Sequence, residues 1–211
     1  MLKRNKITKL LISFFLISFS VIVFSICYFW KGHFDEKVYK RIYSNIKIGD
    51  KTVSMPFTIN ELGEDYYVEE NSIEYNENTI FGDLMHNGKF VLHFGTDSKQ
   101  KEITEIDIRN SPVTFITATY PNCEEDIEKT DLNILNQFSI DGIKFGDSKR
   151  KILRKYGEPA SRDDSEIDGE QFGYYPNIEN YDKMSSICPV YYEFDKSGKS
   201  GKLQHIFLLM K

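Results

Sequence analysis

No Gly-x-Ser-x-Gly elbow and no glycine-rich phosphate loop occurs anywhere in the 211 residues, which removes the usual strand-turn-helix nucleophile and nucleotide sites. Histidine is scarce, four in all: His86, His93 and His205 are scattered and never at the His-x-x-x-His spacing that sets two zinc ligands on one helical face. Cysteine is scarcer still. Of three, Cys27 lies in a long hydrophobic run, and neither Cys123 nor Cys188 has a histidine nearby in sequence. Two cysteines make no disulfide framework. Cys123 and Cys188 are the candidate bridge, with two reduced, buried thiols as the alternative. Acids are many but evenly spread, so no catalytic pair stands out. Asp164-x-Glu166-x-Asp168-Gly169 has a calcium-loop flavour, but Tyr175 stands where the bidentate glutamate belongs, so Arg162 to Glu170 is expected to be a solvated loop. The expectation is no catalytic residue, no metal and no cofactor: a protein that is not an enzyme.

Charge is also missing from one stretch, and there the absence is informative. Leu10 to Trp30 contains no charged side chain, and at ~1.5 Å per residue a helix of that length crosses roughly 30 Å of hydrocarbon. Lys3, Arg4, Lys6 and Lys9 precede it, no acid occurs in the first thirty residues, and Tyr28, Phe29 and Trp30 close it with rings suited to a headgroup boundary. The basic flank stays inside, so the remainder lies outside. A cleaved signal peptide shares this pattern, but bulky residues surround the small-residue sites at Ser18-Phe19-Ser20 and Val23-Phe24-Ser25. Lipidation at Cys27 would need a small residue where Ile26 stands. All three fates export the chain.

The chain carries 27 basic and 32 acidic residues; without the four basic residues of the tail the balance beyond it is −9. An acidic surface of that kind excludes nucleic acid as a partner. The 13 Tyr and 16 Phe favour a β-rich core over a disordered stalk. Along the chain we expect a cytoplasmic tail (1–9), a transmembrane anchor (10–30), a charged stem (31–41), a first α+β repeat (42–120), a polar linker (121–138) and a second α+β repeat (139–211). Gly49-Asp50 reads as a turn between Ile46-Lys47-Ile48 and Thr52-Val53, and Thr58-Ile59-Asn60-Glu61 as a capping box. Strands are expected at Phe90 to Phe94, Thr104 to Ile108 and Pro112 to Thr119. In the second half Ser148 caps a helix over Lys149 to Tyr156, which Gly157 and Pro159 stop. Three strands follow, at Phe172 to Tyr175, Val190 to Asp195 and Leu203 to Met210. The fold class is therefore α+β, two helix-plus-antiparallel-sheet halves in two layers behind one N-terminal transmembrane helix. Ile46-Lys47-Ile48-Gly49-Asp50 recurs as Ile143-Lys144-Phe145-Gly146-Asp147, which suggests an internal duplication.

Ile143 to Ser148, then Ile152, then Tyr156-Gly157-Glu158-Pro159 resemble the opening of the SmpA/OmlA (BamE-like) domain and of β-lactamase-inhibitor-protein-like repeats. Those begin with a hydrophobic-x-hydrophobic-Gly turn, a Ser/Thr-capped helix and a Gly-x-Pro stop. The chain as a whole is similar to small membrane-anchored exported proteins of Gram-positive bacteria. The likeness is one of caps, turn and core positions over residues 140 to 159. It implies a two-layer fold and a module that binds another protein through its sheet or loops.

In Val190 to Asp195 the residues Val190, Tyr192 and Phe194 share one face, and Tyr191, Glu193 and Asp195 share the other. Tyr191 and Glu193, joined by Tyr174 and Tyr175, are the candidate binding residues on an open sheet face. The function expected is a membrane-anchored extracytoplasmic binding module for a protein or envelope component. The alternatives are an enzyme-inhibitor-like protein and a cell-wall hydrolase. A reporter enzyme that works only outside the cytoplasm, fused after Lys211, is expected to be active in intact cells. An inactive but stably expressed fusion would contradict the orientation drawn from the basic flank.

Overall fold

The computed structural model describes residues 36–76, 78–97, 105–165, 169–174, 190–195 and 201–210, and residues 34–211 fold as one unit. The anchor at 10–30 lies outside the described residues. Among those described, no helix is long and apolar enough to cross a membrane.

The described chain opens with helix α1 (Glu36–Ser44) and a short hairpin, β1 (Ile46–Ile48) and β2 (Lys51–Val53). Of two 3-10 turns, Ile59–Leu62 and Glu70–Ser72, the first follows here. There Glu61 Oε1 accepts from the Thr58 backbone N–H at 2.8 Å, the reach-back half of a capping box. Next come β3 (Tyr66–Val68), β4 (Glu74–Asn76), β5 (Thr79–His86), β6 (Lys89–Asp97), α2 (Glu105–Asn110) and β7 (Val113–Thr119). Two short helices, α3 (Glu124–Lys129) and α4 (Leu132–Gln137), lead to β8 (Ser139–Ile140) and α5 (Lys149–Tyr156). The chain ends in β9 (Ser161–Ser165), β10 (Gly169–Tyr174), β11 (Val190–Phe194) and β12 (Leu203–Leu209). The large antiparallel sheet runs β3-β5-β6-β7-β12-β11-β10-β9, with β4 paired to β5, and a small second sheet runs β2-β1-β8.

Two turns of two residues set the local registers. Asn87-Gly88 joins β5 to β6 with both φ values positive (50° and 80°), and Asp141-Gly142 does the same between Ile140 and Ile143 (49° and 73°). Such φ pairs define type I′ turns, whose twist matches that of the strands they connect; asparagine and aspartate tolerate the left-handed region and glycine has no side chain to oppose it.

Period-two alternation decides what each strand buries. Leu84, Leu92, Phe94, Ile116, Ile206, Val190, Tyr192, Phe194, Phe172 and Tyr174 point to one side of the large sheet and are buried. They join Ile42, Tyr43, Ile108, Ile134, Leu135, Ile152 and Tyr156 of the helical layer in one core. Burying a side chain of this size stabilises by roughly 1.5–3 kcal/mol against leaving it in water. α5 seats Tyr156 against Tyr192 with ring centroids 6.0 Å apart, and against Tyr174 edge-on at 5.6 Å. Ser148 caps the helix and Gly157, at φ 79°, ends it, as its sequence signals indicate.

A buried carboxylate ties this layer together. Asp141 is 3 % exposed. Its carboxylate accepts from Arg41 Nε of α1 at 2.8 Å and from the Tyr156 hydroxyl of α5 at 3.2 Å, and Lys155 Nζ lies 3.2 Å away. Its backbone N–H donates to Asn45 O at 2.7 Å, and its carbonyl accepts from the Lys155 ammonium. Two cations and a hydroxyl thus offset the desolvation of one anion.

Several expectations change. The described part of the strand expected over Thr104 to Ile108 is helix instead: Glu105–Asn110 is helical, with Ile108 buried and Asn110 accepting from Asn60 Nδ2 at 2.5 Å. Contact with the 3-10 turn outweighs the β preference of the isoleucines. Residues 36–41 of the expected stem begin α1, whose Ile42 and Tyr43 are core. Residues 121–138, read as polar linker, carry α3 and α4 and bury Ile134, Leu135 and Phe138. Residues 161–165 and 169–174 pair as a hairpin instead of forming the acidic loop expected over Arg162 to Glu170, so four strands, not three, follow α5.

Asp141→Asn keeps a residue that accepts positive φ but removes the charge. Arg41 is half-exposed and Lys155 partly so, and both can turn to water, so the expected loss is about 1–3 kcal/mol in denaturant unfolding of the full chain. An unchanged midpoint would show that Asp141 does not hold the helices.

Candidate binding face

The face of the large sheet turned away from the helices carries the other half of each alternation. Adjacent strands place Phe81 (β5) opposite Gly95 (β6), and Gly95 opposite Phe115 (β7). A side chain at Gly95 would put its Cβ 3.1 Å from Phe115 and 3.2 Å from Phe81, so glycine lets these rings close over the strand between them. Phe81 meets Phe115 edge-on with centroids 5.6 Å apart, and Phe115 meets Phe207 (β12) at 5.0 Å. On the helix side the arrangement is exchanged: Gly82 lies under Phe94, whose ring stands 3.2 Å from where a Cβ at Gly82 would lie. One Phe-Gly step in β5 and one in β6 thus serve both faces.

Beside the aromatic row runs a polar one. His93 Nδ1 lies 2.5 Å from Asp83 Oδ1, and His205 Nδ1 lies 3.0 Å from Glu193 Oε2. An ionised carboxylate only accepts, so each neutral imidazole carries its proton on Nδ1 and presents Nε2 as an acceptor. For His205 that acceptor is filled by the Thr117 hydroxyl at 2.5 Å. For His93, which is half exposed, no described group fills it. Tyr191 and Phe207 face each other across β11 and β12 on this side.

At the end of the polar row, where α3 comes alongside, a hollow of about 380 Å³ is lined by Asp83, Phe90, His93, Thr119, Asp126 and Lys129, among others. The Phe90 ring lies 4.7 Å from that of His93. Lys129 is paired with Glu125 at 2.6 Å, and that hydrogen bond and charge raise its pKa. The Cys123 thiol donates to Asp126 at 3.0 Å.

A third imidazole pair is structural. His86 Nδ1 lies 2.7 Å from Asp131 Oδ2, while Asp131 Oδ1 caps α4 by accepting from the N–H groups of Asn133 and Ile134. Burial pushes the Asp131 carboxyl upward, but the bonds from His86 and the two amides together hold it below the ordinary carboxylate value. Tyr66, whose ring lies tilted against that of His86 with centroids 4.7 Å apart, is pushed up to about 12 by burial and by the negative charges of Asp50, Asp131 and Asp65.

The candidate residues named from sequence separate. Tyr191 and Glu193 stand half-buried on the helix-free face. Tyr174 does not: it is fully buried under α5, its hydroxyl donates to Gly157 O at 3.0 Å, and burial raises its pKa. Register is the reason, since Tyr174 pairs with Val190 and Phe172 with Tyr192, both of which point into the core. Tyr175 lies outside the described residues. So does Cys188, while Cys123 is a free, exposed thiol. Among the described residues no group of three or more His, Cys, Asp or Glu is placed to hold a metal ion. No sequence pattern singles out Phe81, Phe115, Phe207 or the Asp83–His93 pair; the one usable signal is the Asn87-Gly88 turn, which brings β5 and β6 together.

No protein-family model matches this chain, and neither the curated proteins nor the solved structures contain a match.

Because Asp131 titrates lower in the fold than in the unfolded chain, its contribution is fully present above the ordinary carboxylate value of 3.8 and is lost as pH falls through its folded value. Asp131→Asn, which still caps a helix, should lower the urea midpoint at about pH 7 by more than at about pH 2, because the advantage of the carboxylate shrinks as it is protonated. An equal deficit at both pH values would show that charge is not what stabilises this site.

Proposed function

We propose that the chain is a membrane-anchored extracytoplasmic binding module, and that it docks a basic polypeptide partner on the helix-free face of its large sheet. The observation that carries this reading is the row Phe81–Phe115–Phe207, three rings in edge contact outside the core, closed over a glycine that leaves room for them. Rings kept out of a core are the usual anchors of an interface. The neighbouring row of Asp83 and Glu193, and the balance of −9 beyond the basic tail, argue for lysine- or arginine-bearing segments as the complement. Tyr191 keeps its place in this face and Tyr174 leaves it. Anchoring through residues 10–30 rests on the charge-free run and its basic flank.

The same reading takes the domain as a duplication. Outward from the β7–β12 pair the sheet reads β7, β6, β5, β3 on one side and β12, β11, β10, β9 on the other, so each half places its last strand at the centre. The repeated Ile-Lys-hydrophobic-Gly-Asp segments begin both halves. This supports the likeness to two-layer helix-plus-sheet repeats without adding a partner's identity.

A photo-crosslinking residue at position 207 in the native host should give one discrete adduct that weakens with rising salt. The same residue at Arg150, exposed on the outer side of α5, should give none. Equal adducts from both positions, or adducts from 150 alone, would overturn the assignment of the face.

A further inference from the structure

We propose that the hollow between β5, β6 and α3 is a binding site for a primary ammonium group. The inference rests on the reading of the helix-free face as the binding face and specifies one subsite of it. The hollow's volume of about 380 Å³ suits a small ligand or a single long side chain. Its chemistry is one-sided. Among the described residues, Asp83 commits only Oδ1, to His93, and Asp126 commits only Oδ2, to the Cys123 thiol. In the neutral form of His93 the contact with Asp83 places the proton on Nδ1 and leaves Nε2 as an acceptor. Lys129, the cation at this rim, is neutralised by Glu125.

What remains uncommitted is therefore two carboxylate oxygens and an imidazole lone pair, beside the aromatic ring of Phe90. An ammonium group has three donors and no acceptor, so it can satisfy all three at once, and an aromatic ring attracts the same charge. A carboxylate or phosphate ligand would meet two like charges with no uncommitted cation to offset them. A guanidinium is planar and seeks two parallel acceptors on one carboxylate, and each carboxylate here has only one oxygen free.

Binding is measured on the full chain in lipid nanodiscs, by calorimetry or ligand-observed resonance. The probes are Nα-acetyl-lysine methylamide, its Nε-acetylated form of nearly equal size without the charge, and pentylamine. The charged lysine derivative should saturate at millimolar concentrations or below, and the acetylated form should not bind. Asp83→Asn and Asp126→Asn should each weaken it by about tenfold. Asp126 lies on a short surface helix that buries nothing, so its variant keeps the test valid if Asp83→Asn disturbs the sheet. Tighter binding of the lysine derivative than of pentylamine assigns the site to a polypeptide side chain; equal binding assigns it to a free amine. Both support an ammonium site. Saturation by the acetylated form, wild-type affinity in both variants, or no saturation up to about 10 mM would overturn it. If amine binding fails while the adduct from position 207 persists, the subsite is wrong and the face stands.

Discussion

A single buried carboxylate, that of Asp141, joins α1 and α5 of the helical layer. It sits at the first position of a type I′ turn, so its backbone closes the Ile140–Ile143 hairpin while its side chain reaches α1 through Arg41 and α5 through Tyr156 and Lys155. Elements about a hundred residues apart in sequence meet on one buried charge. Apolar packing between helix and sheet is tolerant of small slides. A buried anion is not, because each partner lost leaves charge uncompensated. The consequence is geometric: α1 and α5 are committed to one side of the sheet, and on the opposite side only α3 comes alongside, at the end of the polar row.

That opposite side has a constructed character. Placing Phe81 over Gly95 and Phe94 over Gly82 gives each face one ring and one gap at the same step of the β5–β6 ladder. The inner ring fills the core. The outer one joins Phe115 and Phe207 in a row that the core does not use. Next to it, carboxylates on neighbouring strands fix the imidazoles of His93 and His205. His205 is satisfied at both nitrogens and braces β7, β11 and β12 together. His93 is satisfied at one, and it stands at the rim of the hollow. The contrast makes His205 a brace and leaves His93 with one nitrogen unfilled among the described residues.

Much of the second half is legible in the sequence because its signals are local. Ser148, Gly157 and Pro159 bound α5 within one helix length, and alternation alone separates Tyr191 and Glu193 from Tyr192 and Phe194. The failures share a cause, which is register across strands. Tyr174 is misplaced outward because nothing within its own strand says which way β10 aligns with β11. The Asp83–His93 pair is hidden more deeply. Counting back from the Asn87-Gly88 turn pairs Asp83 with Leu92, and only the bulge beside Leu84 and Met85 shifts the ladder by one and brings His93 opposite. Thr104 to Ile108 misleads in another way: its alternation suits a strand, yet from Glu105 onward the chain is helical and packs on the Ile59–Leu62 turn.

If a partner docks there, the sheet face bearing Phe81, Phe115 and Phe207 is covered in the cell and bare in the isolated protein. Carbene footprinting of the full chain, once in intact cells and once purified in nanodiscs, measures this side chain by side chain. Labelling of Phe81, Phe115, Phe207 and Tyr191 should fall severalfold in cells relative to the purified protein, while Arg150 and Arg154 on α5 label equally in both. Equal labelling of the aromatic row in the two settings, or protection confined to α5, would contradict the account.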